Sequence, residues 1–115
     1  MTKPHLPNYL RTHRKRARIP QHHVAFLLGT KSGTKISRYE HFARIPELET
    51  VFALEVIYGV PASELFAGIY AKAHRRVTER AAHGIRGPDP ILAALARRIL
   101  DPSARPPMKP KTNLA

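Results

Sequence analysis

Apolar residues recur along this chain at helical spacing, in short stretches cut apart by glycine and proline. Tyr9, Leu10 and His13 share one side of a stretch over 9–17 that Arg11, Arg14, Lys15 and Arg16 otherwise fill, and Asn8 is placed to cap it. The Ile19-Pro20 step ends that helix, because a residue before proline is driven out of the helical region. Pro20 then suits the start of a second helix over 20–28, with Val24, Ala25 and Leu28 inward and Gly29 as its left-handed stop. Ser32 caps a third over 33–41, in which Ile36, Tyr39 and Glu40 face in while Thr34, Lys35, Arg38 and His41 face out. Beyond Pro46 a fourth helix spans 48–58, and its Val51, Phe52, Leu54, Val56 and Ile57 are expected in the core.

Gly59 closes that helix, and a fifth starts near Pro61 with Leu65, Phe66, Ile69 and Tyr70 as a buried stripe. Its register continues through Ala73 and Val77 to about 82, so the last helix is long, and its outer half has a second copy of the chain as its natural partner. Gly87-Pro88-Asp89-Pro90 breaks it, a short basic amphipathic helix follows over 91–100, and the Pro-rich remainder is expected to be disordered. The reading is all-α: an arm over 1–8, a helical domain over 9–68, an extension over 69–86 suited to dimerisation, a linker and short basic helix over 87–100, and a tail over 101–115. No internal repeat is visible.

Charge changes this picture from a fold into a choice of partners. The 115 residues hold 20 Lys and Arg against 8 Asp and Glu, a net +12 with His neutral, which favours polyanions. Nucleic acid leads and anionic membrane follows. From Met1 to Arg44 ten basic residues meet one acid, Glu40, whereas Ile45 to Ala71 hold Glu47, Glu49, Glu55 and Glu64 with no Lys or Arg. The N-terminal half is thus the side that would face a polyanion. The region from Lys72 onward is basic again, and a solvated tail explains it better than a second contact. No apolar run approaches the roughly 20 residues that a bilayer needs, and the polar, basic N-terminus lacks a secretory stretch, so a soluble, intracellular protein is expected. The absence of Cys removes disulfides, thiolate nucleophiles and Cys-based zinc fingers.

Catalysis finds no support, since the acids are scattered and no Gly-rich phosphate loop, paired carboxylates or nucleophile-base set occurs. No cofactor is implied. The seven His do not suggest a metal either: His22 and His23 are adjacent, so on a helix they diverge by about 100 degrees and lack the i, i+4 geometry of a shared ion.

Leu10 and Arg14, Gln21, Val24-Ala25, Leu28-Gly29, Ile36-Ser37-Arg38-Tyr39-Glu40, Pro46, Leu48-Glu49-Thr50, Gly59-Val60 and Glu64-Leu65-Phe66 occur in that order. Residues 9–67, about half the chain, resemble in this the Xre/Cro-type helix-turn-helix family, the five-helix, lambda-repressor-like DNA-binding domain of phage repressors and small bacterial regulators. The resemblance implies an ion pair between Arg14 and Glu40 that links the first helix to the third. It places Gly33, Thr34, Lys35 and Arg38 nearest the base edges of a major groove, with Arg38 or Lys35 suited to guanine O6 and N7 and Thr34 to a thymine methyl. Gln21 and Ser32 map to helix N-termini that hold phosphate oxygens, with Lys31, Ser37, His41 and Arg44 as further phosphate candidates. Arg11, Lys15, Arg16 and Arg18 supply general attraction.

Three features depart from the family pattern. Thr30 and Lys31 stand between Gly29 and Ser32 where one residue is usual, so the recognition helix is expected to tilt or enter differently. Arg18 and Phe42 occupy frequent glycine positions, where strain or rearrangement is expected. Phe26 and Leu27 replace polar residues of the second helix and would expose apolar surface unless the C-terminal helix or a partner covers them. The resemblance implies a sequence-specific double-stranded-DNA-binding transcriptional regulator, by default a repressor that occludes its operator as a homodimer in the bacterial cytoplasm, at the nucleoid. The alternative is an antitoxin-like or adaptor protein whose C-terminal half binds a protein partner.

Overall fold

Leu10, Val24, Ile36, Leu54 and Leu65, one from each of the first five helices, are almost wholly buried and form the centre of the N-terminal part of the molecule. A computed structural model describes residues 6–104. These residues form α1 (Leu10–Arg16), α2 (Gln21–Leu28), α3 (Thr34–Glu40), α4 (Leu48–Tyr58), α5 (Ala62–Leu65), α6 (Ala67–Gly84) and α7 (Pro90–Leu100), then a 3₁₀ turn at Pro102–Ala104. No strand occurs among the described residues, so the protein is all-helical there. The chain divides into two compact units, Met1–Tyr70 and Ala71–Ala115.

In the first unit, Ala25, Tyr39 and Phe66 complete the buried cluster, with Ile19, Leu28, Val51, Ile57, Tyr58 and Val60 packed around it. Each fully buried Leu, Ile or Val side chain contributes about 1.5–3 kcal/mol. The first helix begins with Tyr9 at its N-cap position rather than Asn8. Asn8 still does a capping task from one residue earlier: its Oδ1 accepts from the Leu10 N–H at 3.1 Å while its Nδ2 donates to the Tyr39 carbonyl at 3.0 Å. Residue 8, expected in a free arm, is therefore buried. Residues 1–5 of that arm lie outside the described residues.

Three successive helices end in the same way. At the end of α2, Gly29 takes φ 77°, its N–H donates to Phe26 O and the Thr30 N–H to Ala25 O, the paired bonds of a Schellman turn. At the end of α1, Arg18 (φ 59°) and Ile19 donate to Lys15 O and Arg14 O. Phe42 (φ 64°) and Ala43 repeat this after α3, on Tyr39 O and Arg38 O. Arg18 and Phe42 thus hold, without rearrangement, the left-handed conformation that the pattern reserves for glycine. For an exposed arginine this conformation costs about 1 kcal/mol. Arg18→Gly is accordingly expected to raise the stability of the domain by roughly 0.5–1 kcal/mol, read as a rise of a few degrees in Tm; an unchanged or lower Tm refutes the strain.

The long fifth helix expected from sequence is divided. Phe66 leaves helical geometry (φ −113°, ψ 47°) and turns its ring into the core, so α5 is a single turn and α6 starts afresh at Ala67. The cause is tertiary. The arm crosses the start of α6 at Gly68, where a Cβ would lie 2.1 Å from the Leu6 carbonyl oxygen and 2.9 Å from Pro7 Cα, and the Tyr9 N–H donates to Leu65 O at 2.7 Å. Ile69 and Tyr70, expected in the buried stripe, are instead at the surface.

A second correction concerns α4. It packs on α2 and α5 through Leu54, with Val51 and Ile57 half-buried, but one helix seats only one face, and Phe52 and Val56 are 54% and 81% exposed. Phe26 and Leu27 are exposed as well.

In the second unit Ala81 on α6 and Ala93 and Ala96 on α7 are buried. A Cβ on Gly84 would sit 3.1 Å from Leu92 Cγ, so the two helices meet closely there. Asp89 caps α7 by accepting from the Ile91 and Leu92 N–H groups, and Pro90 occupies the first turn, where its missing N–H costs nothing. Asp101, expected in the disordered tail, caps the terminal turn through Ser103. Residues 105–115 lie outside the described residues.

Candidate nucleic-acid interface

The third helix carries the candidate chemistry on one side and its anchors on the other. Ile36, Tyr39 and Glu40 are buried beneath it, and Thr34, Lys35, Arg38 and His41 face outward. With Gly29, Thr30, Lys31 and Ser32, the first three line one open depression across the turn between α2 and α3. Five of the sequence-derived residues, Lys31, Ser32, Thr34, Lys35 and Arg38, are thus brought together and exposed.

The additional turn residue is absorbed at the end of α2. Thr30 closes the Schellman turn through its N–H, and its hydroxyl lies 3.3 Å from the carbonyls of both Ala25 and Ser32. Helix α3 consequently starts at Thr34, with Gly33 rather than Ser32 at its N-cap position. Ser32 still accepts weakly from the Thr34 N–H, at 3.4 Å. Gly33, expected beside base edges, is small for an internal reason: a Cβ there would stand 3.2 Å from Gln21 Cβ.

Orientation of α3 is set by an ion pair at its far end. Arg14 Nε and Nη2 donate to Glu40 Oε2 at 2.6 Å and Oε1 at 3.1 Å, and Nη1 donates to the Ile19 carbonyl at 3.0 Å. The Glu40 side chain is fully buried. The hydrogen bond to Glu40 raises the Arg14 pKa above its ordinary value, against the opposing effect of burial. Gln21 joins this pair, its Nε2 donating to Glu40 Oε1 at 3.1 Å. The Gln21 amide, expected on a phosphate, is therefore engaged within the protein. Ser37 and His41, also expected on phosphates, meet each other, with His41 Nδ1 2.8 Å from Ser37 O. Arg44 is exposed in the loop after α3.

A second open cleft adjoins the first turn of α3. Arg11, Arg14 and Lys15 from α1, Gln21 and His22 from α2, Gly33 and His41 line it. From sequence, Arg11 and Lys15, an i, i+4 pair on α1, are expected only to supply general attraction, and His22 to take part in a phosphate contact or simply to face water. The spacing of Arg11 and Lys15 was the available signal; that α2 brings His22 opposite them is a tertiary fact. Since Glu40, the one acid before Glu47, is buried and neutralised by Arg14, this cleft offers an anion only positive or neutral partners.

Tyr58 lies behind the ion pair, its hydroxyl buried with no hydrogen-bond partner among the described residues. Burial, reinforced by the Glu40 charge, pushes its pKa up to about 12 from 10.0, with Arg14 acting in the opposite sense. A raised folded-state pKa gives stability that is complete below pH 10 and lost as pH rises through 12. Tyr58→Phe is expected to stabilise the fold by about 1 kcal/mol at pH 7 and to flatten the alkaline loss between pH 10 and 12. Urea titrations at pH 7, 10 and 11.5 test this, and a destabilised variant with an unchanged alkaline limb refutes it.

Among the described residues no group of three or more His, Asp or Glu could hold a metal ion, and no helix is long and apolar enough to cross a membrane. In comparisons with protein-family models, curated proteins and solved structures, nothing matches this chain.

Proposed function

We propose that the protein is a sequence-specific double-stranded-DNA-binding regulator of transcription, with Met1–Tyr70 a five-helix domain of the Xre/Cro, lambda-repressor-like kind. The observation that carries this reading is the exposed ridge of Thr34, Lys35 and Arg38 on a helix whose opposite side is fastened by Ile36, Tyr39 and the Glu40–Arg14 pair. A helix so held presents side chains of fixed position to a major groove, where Arg38 and Lys35 suit guanine and the Thr34 methyl suits thymine. The cleft of Arg11, Lys15, His22 and His41 suits a backbone phosphate beside that groove. Two copies would read a two-fold site with recognition helices about one helical turn apart, and repression by occlusion follows from such binding. Action at the nucleoid of a bacterial cytoplasm belongs to the same proposal. The separate unit Ala71–Ala115, basic and with exposed Val77 and Ile91, favours a second reading in which that unit also engages a protein, as in an antitoxin or adaptor.

Selection of random duplexes by the purified protein, followed by sequencing at two salt concentrations, tests the proposal. A two-fold motif is expected. Arg38→Ala should flatten one position per half-site, a loss of about 1–3 kcal/mol for the preferred base, whereas Lys15→Ala should weaken all sequences alike and lower the salt slope by about one. Equal affinity for all duplexes, or identical behaviour of the two variants, overturns it.

A further inference from the structure

His41 closes α3 with its ring folded back on its own helix, and that contact decides which ring nitrogen carries the proton. Nδ1 stands 2.8 Å from the Ser37 carbonyl oxygen, with Ser37 Oγ at 3.3 Å. A carbonyl only accepts, so Nδ1 is the donor, and in the neutral ring Nε2 is left with a bare lone pair. The residue is exposed, and with Nδ1 engaged, Nε2 is the nitrogen left for a ligand in the cleft that His41 lines with Arg11, Arg14, Lys15, Gln21 and His22. A phosphodiester is an acceptor as well. Its non-bridging oxygens have no proton to give, so neutral His41 would oppose lone pair to lone pair, whereas the imidazolium offers both an N–H and a charge.

We propose that this cleft is proton-linked: it takes a tetrahedral oxyanion, here a DNA backbone phosphate, together with one proton on His41, so that affinity falls as pH rises through the imidazole range. The identity of the anion rests on the DNA reading, while the protonation step rests on the Ser37 contact alone. The groups that face the ring are Tyr9 ahead of α1, Arg11, Arg14 and Lys15 on α1, His22 on α2, and Arg38 and Glu40 on α3 itself, Glu40 being buried in its pair with Arg14. His22 is the second imidazole of the cleft and differs in one respect. Among the described residues no hydrogen bond fixes its tautomer, and its ring meets that of His23 edge to face with centroids 4.5 Å apart, so it can turn an N–H to an anion while neutral. His41 cannot. The sign follows, since an anion beside the ring favours the imidazolium and binding therefore draws a proton in.

Nitrogen-15 spectra of the full chain and duplex binding test this together. At about pH 8.5 without ligand, His41 is expected as the Nδ1–H tautomer. Replacing chloride by sulfate at constant ionic strength, a tetrahedral anion that does not titrate between about pH 5 and 9, should raise the pH midpoint of the His41 ring. A mixed-sequence duplex at fixed ionic strength should bind about five- to twentyfold more weakly at pH 8 than at pH 6. His41→Gln, with helicity checked by circular dichroism, should lose most of that dependence, and His22→Gln should keep it at lower affinity. His41→Lys should bind at pH 8 without the loss of the natural chain. An Nε2–H tautomer, a midpoint that sulfate leaves unmoved, or a His41→Gln variant with undiminished pH dependence overturns the proton link. The DNA reading fails separately: a midpoint raised by sulfate in a chain that binds no duplex supports the proton-linked anion site and overturns only the DNA reading, and a sequence-selective chain whose affinity is indifferent to pH overturns only the link.

Discussion

Arg14→Leu is expected to lower the stability of the N-terminal domain by about 3–5 kcal/mol, because it strands a carboxylate that has no access to water. Glu40 is fully buried, and without the guanidinium its remaining side-chain partner is the Gln21 amide at 3.1 Å. The variant also removes the donor to the Ile19 carbonyl at the Schellman end of α1. A domain of some 70 residues has a total stability of roughly 4–10 kcal/mol, so the loss is a large share of the whole. Glu40→Leu should cost less, since the Arg14 side chain retains partial exposure and its charge can be rehydrated. Arg14→Lys should not rescue, because an ammonium does not reproduce the forked contact on both carboxylate oxygens. Replacing both partners together by Met should recover most of the loss, as apolar pairs of similar volume commonly do. Urea midpoints at constant m-value measure all four, and single variants that lose less than about 1 kcal/mol would show the pair to be ornamental to the fold.

The second large effect lies at Gly68. In a helix, Gly→Ala ordinarily gains about 1 kcal/mol. Here the added Cβ would meet the Leu6 carbonyl oxygen at 2.1 Å and Pro7 Cα at 2.9 Å, and since these are backbone atoms no rotamer change relieves the clash. The arm must lift from α6, and with it go the Tyr9 N–H bond to Leu65 O and the seating of Asn8 between α1 and Tyr39. A net loss of about 2–3 kcal/mol is expected, the upper range of overpacking. Its origin is separable, because a chain shortened to begin at Asn8 lacks the Leu6 and Pro7 atoms that the added Cβ would strike, and there the same substitution should be neutral or stabilising. If Gly68→Ala were equally harmful in both chains, the close crossing of the arm would not be its cause.

These two sites mark where sequence is and is not informative. The inward Ile36, Tyr39 and Glu40 and the outward Thr34, Lys35 and Arg38 are legible because helix periodicity is a local property, whereas the pairing of Arg14 with Glu40 is implied by the family resemblance, with the lone acid of the basic half in support. The span of α4 and the glycine ends of α2 and α4 follow from local backbone chemistry in the same way. The break at Phe66 is not legible in sequence, since Gly68 nearby only weakens a helix and does not end one; the crossing by Leu6 and Pro7 accompanies it. Phe52 and Val56 were assigned to the core because apolar density does not tell which face of a helix finds a neighbour. The close approach of Gly33 to Gln21 and the bond from Gln21 to Glu40 are not legible in sequence for the same reason, each being a contact between elements.

Fastening α3 through Arg14, Glu40 and Gln21 has a thermodynamic corollary. The bonds that order this helix are complete before any ligand arrives, so association with its outer face carries no cost for folding the helix itself. Its heat-capacity signature would then scale with the apolar surface covered, as in the docking of two rigid bodies, rather than with the much larger value of a segment that condenses as it binds.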